Sequence, residues 1–299
     1  VSNILTLIAA SGIELGPRDI ARARAVVDGA EPEILSPGEA VDIPCAAPPP
    51  LPLVRAALAG SRIDAIAVKR RGRRKAVLVA DMDSTIVVNE TLDDLARRAG
   101  AGDLVAGITR RSMNGEIDFA AALVERVAAL RGVKLAALHD TWAETELTPG
   151  ARALVATMRR HGALCALVSG GFTFFTSRVA ALCGFDAHRA NVLLDDGEAL
   201  TGAVRQPILD RDAKRWALAE FATERRARLS ATLAVGDGAN DLAMLQAAGL
   251  GIAFRPKPVL ADAIANRLDH ADLRGLLFAQ GYKASDITEE LPVCAPATA

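Results

Sequence analysis

The stretch Lys75-Ala76-Val77-Leu78-Val79-Ala80-Asp81-Met82-Asp83-Ser84-Thr85-Ile86-Val87-Val88-Asn89-Glu90 decides how the chain is read. Residues 76–80 form an apolar run with the length and β-branched content of a strand buried on both faces, and they deliver Asp81 and Asp83 just past its carboxyl end. Open α/β sheets place their chemistry at that edge. Side chains alternate along extended backbone, so Asp81 and Asp83 can face the same way, with Ser84 and Thr85 following where the chain turns toward a helix. Two acids facing one cavity attract a divalent cation or share a proton. Taken alone, the same pattern also describes a solvated turn, so other stretches must decide.

Two later runs end in the same manner. A strand-like segment at 163–168 leads into the turn Ser169-Gly170-Gly171, and another at 231–235 leads into Gly236-Asp237-Gly238-Ala239-Asn240-Asp241. If these strands lie beside 76–80 in one parallel sheet, the three polar clusters meet in one crevice. Asp237 then joins Asp81 around Mg²⁺, a hard ion usually held by one or two carboxylates together with phosphate and water. Ser169, the amides after it and Lys214 are placed to hold an anion, and the helix N-termini that follow favour negative charge. A phosphoryl group fits each of these features.

The rest of the chain falls into segments. Residues 1–68 read as a small α+β module, with strand-like runs at 4–10 and 63–68 and a helix near 18–27. The proline-rich interval 44–52 reads as a polyproline-like connector, which leaves that module split or incomplete. Residues 69–75 carry six basic side chains in seven positions; they read as a solvated inter-domain linker, the alternative being a nucleic-acid patch that lacks aromatic residues for stacking. From 90 to 148 the periodicity is helical, with Leu92, Leu95 and Ala96 followed by Phe119, Leu123, Val127 and Leu130. An insertion there sits over the carboxyl edge and acts as a lid. The strand and helix rhythm of the core, 76–89 and 149–282, includes a hairpin made of 187–194, the turn Asp195-Asp196-Gly197 and 199–205. Residues 283–299 read as a flexible tail.

With these pieces in place, the chain resembles the haloacid dehalogenase-like hydrolases, and within them the bacterial phosphoserine phosphatases. The superfamily motif Asp-x-Asp-x-Thr stands as Asp81-Met82-Asp83-Ser84-Thr85, the second motif as Val168-Ser169-Gly170-Gly171, the lysine as Lys214 and the acidic motif as Gly236 to Asp241. The narrower likeness rests on Glu90 with Leu92-Asp93-Asp94-Leu95-Ala96, on Arg111 to Phe119 leading to Arg126, and on Phe185-Asp186-Ala187 with Ala190-Asn191. The resemblance implies a doubly wound, Rossmann-like α/β core with a helical cap inserted after its first strand. It also implies hydrolysis of O-phosphoserine to serine and phosphate, the last step of serine biosynthesis. Asp81 would be the nucleophile and Asp83 the general acid and base, with Mg²⁺ held by Asp81, the main-chain oxygen of Asp83 and Asp237. Ser169, Gly170 and Lys214 would bind phosphate, Asn240 and Asp241 would support them, and Glu90 and Arg126 would take the substrate's ammonium and carboxylate. Met113 and Phe119 would form an apolar wall in the lid.

Composition narrows the classes. A formal charge of −1 and 51% hydrophobic content describe a globular protein with no global attraction to nucleic acid or anionic membrane. No run approaches the ~20 apolar residues of a membrane span, and 4–10 lacks a basic leader, so a cytoplasmic location is expected. The four cysteines show no C-x-x-C spacing, and neither a disulfide framework nor a zinc site is expected. The expected partner is a small-molecule substrate, the protein itself a monomer or homodimer. Two rivals remain: a related phosphatase or phosphotransferase acting on another small phosphate, and a nucleic-acid-binding protein using residues 69–75.

Overall fold

The computed structural model describes residues 2–113 and 116–291, apart from the side chains of Met113 and Arg211. In the N-terminal module β1 (Asn3–Ala9) is buried along its whole length, because both faces of its sheet are covered. Leu5, Leu7 and Ala9 pack with residues of α1 (Pro17–Val27) and α2 (Leu51–Ala57), while Ile8 points the other way into the main core. With β2 (Glu33–Ser36), β3 (Ala40–Cys45) and β4 (Ile63–Lys69) the module forms an antiparallel sheet in the order β2-β3-β1-β4. This is a continuous β-α-β-β-α-β unit.

The proline-rich interval therefore does not split the module. Pro44 lies within β3, and its carbonyl accepts a 2.8 Å hydrogen bond from the Ala30 amide, on the side where β2 no longer pairs. A strand residue's N–H and C=O point to the same side, so the missing N–H breaks no ladder bond. Pro52 stands in the first turn of α2, where an amide would have no helical partner.

The reading of 69–75 as a solvated linker also needs correction. Arg73 is turned inward: its guanidinium grips Asp42 through Nη1 at 2.5 Å and Nη2 at 3.0 Å, and Asp42 also accepts from Thr6 at 2.7 Å. The same guanidinium donates to the carbonyls of Phe278 at 3.0 Å and Ala279 at 3.3 Å, tying module to core. A planar fork with five donors can serve a carboxylate and two carbonyls at once, which an ammonium cannot.

The core sheet is wholly parallel. It comprises β5 (Val77–Ala80), β6 (Leu164–Phe172), β7 (Ala187–Asn191), β10 (Thr232–Gly236), β11 (Leu250–Phe254) and β12 (Arg267–Leu268), in the order β12-β11-β10-β5-β6-β7. Its intervening helices are α7 (Ala151–Arg160), α8 (Thr173–Cys183), α9 (Arg211–Glu224), α10 (Leu242–Ala247), α11 (Pro258–Ala263) and α12 (Gly275–Ala279). β5 is flanked by β10 and β6, and Val77, Leu78, Val79 and Ala80 are all 0% exposed. That placement explains an apolar run without alternation.

Three local differences have physical causes. The predicted turn at Ser169–Gly171 is instead a continuation of β6, with a register shift between Val168 and Phe172 that re-aims the chain at the sheet edge. The single strand expected over 187–194 divides: β7 joins the main sheet, and only β8 (Leu193–Asp195) and β9 (Leu200–Val204) form the hairpin. The tail expected to be flexible from 283 is anchored through its described part, where Thr288 exchanges hydrogen bonds with Thr157 at 3.0 and 3.2 Å and Asp286 pairs with Arg74 at 3.0 Å. Residues 292–299 lie outside the described residues.

Between β5 and α7 stand α3 (Thr91–Arg98), α4 (Gly102–Met113), α5 (Phe119–Ala128) and α6 (Leu135–Ala143). The chain leaves and rejoins the core side by side: the Val88 amide donates to the Glu146 carbonyl at 3.0 Å, and the Thr148 amide to the Ile86 carbonyl at 2.9 Å. The β8–β9 hairpin joins this helical insertion through the Leu200 amide to the Val133 carbonyl and the Gly132 amide to the Leu200 carbonyl, both 2.8 Å. Among the described residues no helix is long and apolar enough to cross a membrane.

Candidate active site

Three strand ends converge with two helices of the insertion, α3 and α5. Asp81 follows β5, Ser169 and Gly170 lie at the end of β6, and Asp237 follows β10; Asp83, Glu90, Arg126 and Asn240 line the same cavity of about 140 Å³. The cavities of about 580 Å³ beside α1 and 480 Å³ at the module–core junction are larger, but neither gathers carboxylates in this way. So small a volume is below the range for drug-sized ligands and suits a small molecule.

At the centre is a buried ion network. Lys214, 1% exposed, places Nζ 2.6 Å from Asp81 and 2.6 Å from Asp241. Burial alone would drive an ammonium toward neutrality, yet the two carboxylates outweigh it and hold Lys214 charged well into the alkaline range. Burial and the negative charges of Asp241 and Asp237 push the Asp81 carboxyl well above the usual carboxylate range, against the pull of Lys214. Carboxylate oxygens of Asp81, Asp237 and Asp241 lie within 4.8 Å of one another. Gly236 makes this possible, since a Cβ there would stand 2.3 Å from the Asp241 side chain.

Asp83 faces the cavity from the turn after β5. Thr91 donates to it twice, from its amide at 2.8 Å and its hydroxyl at 2.7 Å, and the Ser169 hydroxyl donates at 3.3 Å. Burial raises its carboxyl to about 6 despite the Thr91 hydrogen bonds. Gly171 leaves it room, because a Cβ there would lie 2.9 Å from Asp83 Oδ2. The turn requires Ser84 at φ 53°, a left-handed conformation costly for a side-chain-bearing residue. The Ser84 hydroxyl in turn donates to Glu90 at 2.8 Å.

The insertion roofs the cavity. The Phe119 ring stands over Gly170, where an added Cβ would meet it at 3.1 Å. The Met113 side chain lies outside the described residues. Arg126 lines the wall with Nε buried and, among the described residues, without an acceptor; burial lowers its pKa, opposed by Asp93, Glu90 and Asp83. Asn240 sits beside Gly238, and Asp241 caps its own turn by accepting from the Gly238 amide at 3.2 Å.

Lys257 was not singled out in the sequence. Its ammonium bridges Glu90 at 3.1 Å and Asp237 at 3.0 Å, and these two acids raise its pKa against the effect of partial burial. The available signal was topological: Lys257 follows β11, another strand ending at the same edge. Asp93 was likewise quoted only as part of a motif, although it lines the cavity and its carboxyl is raised by burial and by Glu90.

The donor set is one of oxygens without imidazole or thiolate, which suits a hard divalent cation rather than a soft one. The lining has five acidic side chains and two basic ones, so an added cation would relieve carboxylate crowding.

Residues 78–246 match the model of the haloacid dehalogenase-like hydrolases. Over 250 residues the chain is 41% identical to a phosphoserine phosphatase of Mycobacterium tuberculosis, covering 83% of this chain and 61% of that one, so it spans about three fifths of that curated relative's length. The crystal structure of a probable phosphoserine phosphatase of Vibrio cholerae in unliganded form superposes with a TM-score of 0.79 at 27% identity, covering 95% of this chain and 88% of that one. The structure of a phospho-aspartyl intermediate analogue of phosphoserine phosphatase superposes with a TM-score of 0.64 at 36% identity, covering 69% of this chain and 98% of that one.

Proposed function

The chain belongs to the haloacid dehalogenase-like hydrolases, and from that premise we propose that it hydrolyses O-phosphoserine to serine and phosphate with the help of Mg²⁺. The observation that carries the substrate choice is the pairing of recognition groups across one small cavity. Glu90 already accepts an ammonium, that of Lys257, at 3.1 Å, while Arg126 presents a buried Nε with no acceptor among the described residues. A phosphorylated amino acid offers an ammonium to the first and a carboxylate to the second.

In this reading Asp81 attacks phosphorus and becomes an aspartyl-phosphate, which water then hydrolyses, splitting one displacement into two. Asp83 protonates the departing serine oxygen and afterwards takes a proton from the attacking water; a carboxyl poised at about 6 can do both. Lys214 holds Asp81 in place and balances charge, and Ser169 and the Gly170 amide bind phosphate oxygens, with Asn240 and Asp241 supporting that shell. Phe119 and Arg126 close the pocket from above and exclude water. Asp81, Asp237 and the main-chain oxygen of Asp83 would hold Mg²⁺, whose charge would let an anionic nucleophile meet an anionic phosphate. The phospho-aspartyl analogue known for a similar protein supports this assignment of Asp81.

The test is release of inorganic phosphate from a panel of small phosphomonoesters, with Mg²⁺ and with a chelator. Phosphoserine should be turned over best and only with the metal. Equal turnover of phosphoserine and simple sugar phosphates would overturn the substrate choice.

A further inference from the structure

The basic run 69–75 divides into two sets of side chains with different fates. Arg70 pairs with Glu33 at 2.9 Å, Arg73 with Asp42 at 2.5 Å and Arg74 with Asp286 at 3.0 Å. Lys69, Arg71 and Lys75 form no ion pair among the described residues, and all three line the cavity of about 480 Å³ between module and core. Among the described residues no carboxylate lines that cavity. Arg73, already neutralised by Asp42, lines it as well, and its remaining walls come from Gly72, from the end of β4 at Ala67 and Val68, and from Ser230, Gly249, Leu250, Gly251 and Asn266 of the core. Asn266 binds both walls together, accepting from the Ala67 amide at 2.9 Å and donating to the Ala67 carbonyl at 3.0 Å.

Lys75 is the half-buried one of the three, Lys69 and Arg71 being exposed. Its ammonium donates only to carbonyls, Gly72 at 3.0 Å and Ser230 at 2.8 Å, and partial burial lowers its pKa with no acid to oppose the effect. Two carbonyl dipoles orient an ammonium without neutralising it. Three cations converging without a counter-charge leave a field that a compact multivalent anion satisfies. The position separates this cavity from the carboxylate-lined one: Lys75 precedes β5, Ser230 precedes β10 and Gly249 precedes β11, so it opens at the amino edge of the sheet.

We propose that the junction cavity is a binding site for a small phosphorylated anion, held by Lys69, Arg71 and Lys75 between the N-terminal module and the core. The volume accommodates more than a single phosphate, and the apolar wall of Val68 and Leu250 suits a ligand with an uncharged body next to its phosphates. Because the ligand touches both walls, its binding stiffens the junction and raises the melting temperature by linkage. The proposal does not depend on what the carboxylate pocket hydrolyses.

The probe is inorganic pyrophosphate, titrated into the whole 299-residue chain by calorimetry in chelator at constant ionic strength, with a thermal-shift series alongside. The substitutions are Lys69→Ser with Arg71→Ser, both exposed side chains outside any ion pair, and separately Arg126→Ala in the other pocket. Saturable binding at one site is expected, weakened roughly tenfold for each cation removed at the junction and unchanged by Arg126→Ala. Binding lost with Arg126→Ala and kept in the junction variant would overturn the proposal. So would a stabilisation matched by added chloride, which is screening alone, or a single-stranded oligonucleotide that binds through the same side chains far more tightly than pyrophosphate.

Discussion

Lys214 Nζ lies 2.6 Å from Asp81 Oδ1, both side chains almost wholly buried, and Asp241 completes the pair from the other side at 2.6 Å. A buried ammonium shared by two carboxylates matters to the fold independently of the proposed chemistry. Lys214→Met should cost about 3–5 kcal/mol in urea unfolding, because two desolvated acids lose their counter-charge. Lys214→Arg should recover little, since the fork does not fit a site shaped around a single point charge.

Asp81→Asn removes the proposed nucleophile with minimal change in volume. Phosphate release in the presence of Mg²⁺ should fall on the order of 10⁴-fold or more, while the fold is retained by circular dichroism. Substantial remaining turnover would take the covalent role away from Asp81.

Arg126 provides the test of substrate recognition. Arg126→Ala should raise KM for phosphoserine roughly 10- to 100-fold, the worth of a charge-assisted hydrogen-bonded pair. An aryl phosphate lacking the carboxylate should be affected far less. Equal losses on both substrates would make Arg126 part of the general architecture of the lid.

The Arg73–Asp42 fork predicts how module and core are coupled. Arg73→Met strands a carboxylate that is 2% exposed and should cost about 3 kcal/mol. Adding Asp42→Asn should restore part of that loss, because the leftover group is then neutral. A double-mutant cycle on unfolding free energies measures the coupling.

Alkaline stability follows from two thiols. Burial pushes Cys183 up to about 12, and Cys165 is raised by burial and by the Asp186 charge. In the unfolded chain a thiol ionises near 8.5, roughly. Above that pH the unfolded state sheds protons that the folded state keeps, so stability must fall as pH rises, by about 1.4 kcal/mol per unit and thiol. Urea midpoints measured at about pH 8 and pH 10 should diverge, and Cys165→Ala with Cys183→Ala should flatten the slope.

What the sequence made readable was the set of strand ends. Asp81, Ser169 and Asp237 each follow an apolar run too uniform to be half-exposed, and a parallel sheet forces such ends onto one edge. Lys257 was hidden because its run after β11 is short and proline-flanked, with no acid nearby in sequence to suggest a partner; Glu90 and Asp237 reach it only through the fold. The proline-rich interval misled because Pro44 harms a strand only where its N–H is needed, and pairing geometry is not written in composition. Arg73 could not be distinguished from its basic neighbours, since what sets it apart is Asp42, a buried acid 31 residues earlier.

The bonds between Val88 and Glu146 and between Ile86 and Thr148 mean that the chain departs and returns through one stalk. All four helices between those points could be excised and the ends rejoined by a tight reverse turn, because neighbouring strands are only about 5 Å apart. In the proposed reading, phosphorus chemistry and substrate recognition thus occupy different parts of the chain: Asp81, Asp83 and Asp237 stay with the sheet, while Glu90 and Arg126 travel with the graft. A different lid spliced onto the same stalk would inherit Asp81 and Asp237 in place, would have to supply its own donors to Asp83 where Thr91 now stands, and would bring its own taste in substrates.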